Sequence, residues 1–187
     1  MPEGVRTKMI EGAVWLLAQY GVEGTSFSEV LAATGAPRGS VYHHFPGGKA
    51  ELLNAALDLA NARVTTAMES TRGRSSVQVI EEFVRLWREL LDRSRLSAGC
   101  SVLAVTVAGV DDQLLDHAGA VFGGWTEHLS SLLVAGGMDS ITAGQVAVMA
   151  VAATEGAVAM CRAQKTRQPF DLVSETLVRL TQGAASN

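Results

Sequence analysis

Between Val30 and Ala50 the chain carries no acidic side chain, and that window holds Arg38, Tyr42, His43, His44 and Lys49. A guanidinium fork, an ammonium, imidazoles and a phenol are all donors suited to phosphate oxygens and to the acceptor edges of bases. The same residue types allow plainer roles. Arg38 and Lys49 alone would make a solvated face, while Tyr42 and Phe45 could pack against neighbouring helices. A metal site at His43 and His44 fails on geometry, because adjacent helical residues point to different faces. No metal or other cofactor is expected. The chemistry therefore depends on the element that presents these groups.

Ser26-Phe27-Ser28-Glu29 reads as a capping box: the serine hydroxyl accepts from the amide three residues on, and Glu29 reaches back. The helix it opens ends near Thr34-Gly35. Gly35-Ala36-Pro37 is a short turn, and a brief helix over 38–45 is stopped by Pro46-Gly47-Gly48. Two short helices joined by such a turn form a helix-turn-helix, whose second helix enters the DNA major groove. Val30, Leu31 and Val41 supply a small core, and Ala32 and Ala33 keep helix contacts close. Gly39 and Ser40 leave the second helix slim at its start, where free amides favour anions.

The rest of the 187 residues supports an all-α protein of about nine helices, with 48% hydrophobic residues, 27 alanines and 19 glycines. Helices are expected over 2–20, where Met9, Ala13, Leu16, Leu17 and Tyr20 share a face and Gly21 closes, and over 49–70. Further helices are expected from 77, over 100–108, 112–135 and 142–166, and over 170–182 after Pro169. Val77, Ile80, Val84, Trp87 and Leu91 form one apolar face; Leu115, Ala118, Phe122, Trp125, Leu129 and Leu132 form another. Residues 143–161 are apolar enough to raise a membrane span, but Gln145 and Glu155 within them favour a buried bundle helix. Cys100 and Cys161 are too few for a disulfide framework, and no apolar leader follows Met1, so a cytoplasmic location is expected. The net charge of -4 gives no global basic field.

The stretch from Thr25-Ser26-Phe27 through Gly35-Ala36-Pro37-Arg38-Gly39-Ser40-Val41-Tyr42-His43-His44-Phe45-Pro46-Gly47-Gly48-Lys49 resembles the N-terminal domain of the TetR family of bacterial transcriptional repressors. HHFPGGK and the later Gly99-Cys100 are similar to its LmrA/YxaF-like branch. The resemblance implies that Arg38, Tyr42 and His43 make groove or phosphate contacts and that Thr25, Ser26, Ser40 and Lys49 hold the DNA backbone, with Gly39 allowing close approach. Arg38 is the candidate reader of a guanine. Pro37 departs from the serine or alanine commoner in the family, which removes a capping hydrogen bond at the recognition helix.

On this reading residues 1–48 are a helix-turn-helix DNA-binding domain and 49–187 a ligand-binding and dimerisation domain, with helix 49–70 connecting them. A palindrome-reading repressor needs a second copy, and Ala147, Val151, Ala152, Ala159, Leu172, Leu177 and Leu180 are the candidate homodimer interface. Trp87, Leu90, Cys100, Leu103, Phe122, Trp125, Leu129, Met149 and Glu155 are candidates to line a pocket for a small apolar or aromatic effector, although such stripes are more often core. Glu155 fits a buried hydrogen bond equally well, and Cys100 a small buried hydrophobe. Enzyme classes are disfavoured: Glu-x-x-His pairs, a GxSxG elbow, a Walker loop and HExxH are all missing. The alternative to a ligand-released repressor is a helical adaptor with no DNA role.

Overall fold

The computed structural model describes residues 3–185; residue 2, expected to open the first helix, lies outside the described residues, as do positions 1 and 187. Among the described residues the protein is all-α, with nine helices and no strand: α1 (Glu3–Tyr20), α2 (Phe27–Thr34), α3 (Ser40–His44), α4 (Gly48–Glu69), α5 (Ser76–Ser94), α6 (Ser101–Thr106), α7 (Asp112–Ala135), α8 (Ser140–Gln164) and α9 (Gln168–Ala185). The chain divides into two compact units, 1–62 with 100–121, and 63–99 with 122–187.

In the first unit Met9, Ala13, Leu16 and Leu17 of α1 are buried as their spacing predicts. Tyr20 is not: it is 65% exposed, because the loop after Gly21 folds Gly24 against its backbone and leaves the ring outside. Gly21 caps α1 in the left-handed region at φ 71°, its amide donating to Leu17 O. The close approach of α1 and α2 does not come from Ala32 and Ala33, which are exposed. It comes from Gly12, where an added Cβ would lie 2.5 Å from Thr34 Cγ2. Helix α6 packs on α1 and is capped by Cys100, whose Sγ accepts from the Leu103 amide at 3.4 Å.

In the second unit α9 packs against both α8 and α5. Helix α5 starts one residue earlier than expected, because Ser75 and Gln78 form a complete capping box, and α8 starts at Ser140 because the Asp139 carboxylate accepts from the Ile141 and Thr142 amides. The hydrogen bonds from Thr142 hold the Asp139 carboxyl below the usual carboxylate range. Ile80, Val84, Trp87 and Leu91 are buried on α5, and Val77 is half-buried. On α7, Trp125, Leu129 and Leu132 are buried; in its first-unit half Ala118 is buried, but Leu114 takes the interior position expected for Leu115. Helix α8 has the length and composition to cross a membrane, yet half of its apolar stretch is buried inside the protein.

Candidate nucleic-acid interface

Ser26 caps α2, its Oγ accepting from the Glu29 amide at 3.2 Å and sharing a 2.7 Å hydrogen bond with Ser28. Gly35 ends the helix at φ 67°, its amide on Leu31 O. The turn then runs further than the sequence suggests, and α3 begins at Ser40 rather than residue 38. The reason lies in Pro37: its carbonyl accepts both the Ser40 amide at 3.0 Å and the Ser40 hydroxyl at 2.6 Å. The Val41 amide turns back to Arg38 O at 3.5 Å, so the amides at the start of α3 are engaged internally and not free for an anion. As Pro37 implies, α3 has no side-chain cap.

Helix α3 is anchored from below by Val41 and Phe45, 6% and 1% exposed. Phe45 meets Phe27 at 6.2 Å between ring centroids, and the Arg6 guanidinium lies 5.3 Å above its ring. With these on the inner side, Arg38, Gly39, Tyr42 and His43 are turned outward; Tyr42 is 86% exposed. The structure thus brings four of the eight expected DNA-contact residues onto one exposed turn and helix, with Ser26 half-exposed at the α2 cap.

The other three are redirected. Thr25 is fully buried, with its hydroxyl on Gly21 O and its amide on Val22 O, so it holds the α1–α2 loop and presents nothing to a ligand. Ser40 gives its hydroxyl to Pro37. Lys49 reaches 2.8 Å to Val22 O and ties the start of α4 to the same loop. Arg6 and Gly12, which the sequence reading passed over, prove to be positioning residues; Gly12 lies one helical turn from the buried Met9 and Leu16 rows, a small residue where a helix crossing needs one.

In the second unit the expected pocket residues form a core. Trp87 and Trp125 meet edge-on at 6.2 Å, Phe122 meets Trp125 at 5.5 Å, and Leu129 is fully buried beside them on α7. The Trp87 indole Nε1 is buried with no hydrogen-bond partner among the described residues. Leu90 is half-buried, Glu155 is buried on α8, and Met149 is 45% exposed on its outer side, away from any interior pocket. Cys100 and Leu103 belong to the first unit. A cavity of about 610 Å³ opens instead between α5 and α9, lined by Glu81, Val84, Arg85, Arg88, Ser174, Glu175, Val178, Arg179 and Gln182, none of them expected. Arg85 there is paired with Glu82 and Glu89, and holds the Glu82 carboxyl below its ordinary value.

Three of the seven expected interface residues, Ala147, Val151 and Leu177, are buried within the protomer and unavailable to a second copy, because one face of α8 forms the core with α9. Ala152, Ala159, Leu172 and Leu180 are exposed, and so are Ile141, Val148 and Met160, whose helical spacing with Ala152 and Ala159 could have been read from the sequence.

A three-helix unit with an outward recognition helix defines a helix-turn-helix DNA-binding regulator. Residues 9–56 match the model for bacterial regulatory proteins of the tetR family, and residues 76–176 that for the C-terminal domain of LmrA/YxaF-like transcriptional regulators. The chain is 32% identical to the HTH-type transcriptional regulator Rv0196 of Mycobacterium tuberculosis over 95% of this chain and 94% of that one. It is 26% identical to the regulator YxaF of Bacillus subtilis, with 92% of each covered. A TetR regulator from Chloroflexus aurantiacus superposes with a TM-score of 0.78 at 27% identity, over 95% of this chain and 94% of that one. The chain belongs to the TetR family of transcriptional regulators, in its LmrA/YxaF-like branch; it is not an enzyme.

Proposed function

We propose that this regulator is a cytoplasmic repressor that binds a palindromic operator as a homodimer and is released by a small apolar or aromatic effector. The observation that carries the operator reading is the outward placement of Arg38, Tyr42 and His43 above the buried Val41 and Phe45. The surface offered to a second copy is the exposed apolar side of α8 and α9: Ile141, Val148, Ala152, Ala159, Leu172 and Leu180. An operator read by such a dimer has two half-sites about one helical turn apart, roughly 34 Å. The effector reading is supported by the unpaired Trp87 indole N–H in an aromatic core, a donor that an acceptor-bearing aromatic molecule would meet. Release follows if the effector favours a protomer arrangement that no longer fits both half-sites.

The test is selection of bound sequences from random duplex DNA. A repressor of this design enriches a two-fold symmetric motif; enrichment of no motif rejects the operator reading. If a bound effector leaves operator affinity unchanged at saturation, the release step is rejected.

A further inference from the structure

The unit that carries the recognition helix is acidic. Its two segments, 1–62 and 100–121, hold four lysines and arginines against nine aspartates and glutamates. Of those four cations, two are engaged inside the unit: Lys49 Nζ donates to Val22 O at 2.8 Å, and the Arg6 guanidinium sits 5.3 Å over the Phe45 ring that closes α3. Both side chains are half-buried, whereas Lys8 and Arg38 are exposed. Glu29, one residue from the Ser28 hydroxyl at the α2 cap, adds an exposed carboxylate close to the reading face.

We propose that Lys49 and Arg6 are positioning residues, not phosphate ligands, and that the protein holds DNA with few ion pairs. Lys49 fixes the start of α4 to the α1–α2 loop, and Arg6 fixes the end of α3 against α1. Affinity is then carried largely by donors without a full charge, the Tyr42 hydroxyl and the His43 imidazole, with Arg38 the main ionic contact. The inference rests on the operator reading and says how that same face binds.

Ion-pair number is measurable through salt. Each neutralised phosphate contributes about -0.9 to the slope of log K against log salt concentration on duplex DNA. A dimer using Lys8 and Arg38 from each protomer neutralises about four phosphates and gives a slope no steeper than about -4, whereas one that also used Lys49 and Arg6 would give about -7. The experiment titrates the full-length protein against its selected duplex at several salt concentrations and at one fixed pH of about 8. Wild type, Lys49→Met and Arg38→Ala are compared. Lys49→Met is expected to weaken binding and leave the slope unchanged, while Arg38→Ala makes it shallower by about 2 for the pair. A wild-type slope of about -5 or steeper, or a slope that Lys49→Met makes shallower by about 2, overturns the inference and leaves the operator reading standing. The wild-type slope decides even if Lys49→Met does not fold. Failure to select any duplex counts against the operator reading itself.

Discussion

The two units carry their informative side chains on opposite sides. In the first, Arg38, Tyr42 and His43 stand in solvent above a small apolar core; in the second, Trp87, Trp125 and Leu129 are themselves the core, and the expected contact residues that face outward on α8 and α9, Ala152, Ala159, Leu172 and Leu180, are aliphatic. A contact surface for DNA must be polar and exposed, so its residue types differ from those that fold the unit. A core, an effector pocket and a helix–helix interface all draw on Leu, Val, Ala and Trp. That difference separates what could be read in advance from what could not.

Four changes sharpen it, and the largest effect belongs to the exposed face. Arg38→Ala with Tyr42→Ala should lower operator affinity by about a thousandfold or more, on the order of two lost contacts in each half-site at about 1 kcal/mol or more each, with the melting temperature nearly unchanged. Trp125→Ala, in the other unit, should act in the opposite way: a loss of about 3–5 kcal/mol in denaturant unfolding from an aromatic that is 1% exposed. Gly12→Val comes next, at about 1–3 kcal/mol, because Thr34 has its hydroxyl on Val30 O at 2.7 Å and its methyl cannot swing aside without breaking that bond. Thermal unfolding and operator binding should fall together for this variant. Ser26→Ala should cost about 1 kcal/mol by removing the α2 cap, seen as a lower unfolding midpoint.

The acid side of the pH profile gives the weakest effect. Arg85 holds Glu82 below the ordinary value of 4.5, so the stability from this pair is intact above that value and is lost as pH falls through the lower folded one. Arg85 is exposed and Glu82 half-buried, so solvent screens the pair on the arginine side, and Glu82→Gln should change the melting temperature at neutral pH only slightly while flattening the acid limb.

The nine helices among the described residues were legible because apolar spacing and breakers such as Gly21, Pro46 and Gly136-Gly137 are local signals. The starts of α5 and α8 moved because caps at Ser75 and Asp139 act before the apolar pattern begins. Within the site, the outward Tyr42 was legible from its place among the polar donors of the turn, and Phe45, three residues on, turns inward because it ends α3 at φ -137° and leaves the helical register. Thr25, Ser40 and Lys49 were not. A hydroxyl or ammonium can turn to DNA or to a carbonyl of its own chain, and only the path of the α1–α2 loop brings Val22 O within reach of Lys49. The split of α8 into a buried row containing Ala147 and Val151 and an open row containing Val148 and Ala152 likewise depends on where α9 packs.

The central claim is that the exposed turn and helix from Arg38 to His43 read the operator. The most direct measurement titrates wild type and the Arg38→Ala, Tyr42→Ala double variant on the selected duplex, with circular dichroism and sedimentation showing equal folding and equal mass. The account predicts tight, sequence-selective binding for the wild type and only weak, unselective binding for the variant. Equal selective affinity for both proteins would contradict it.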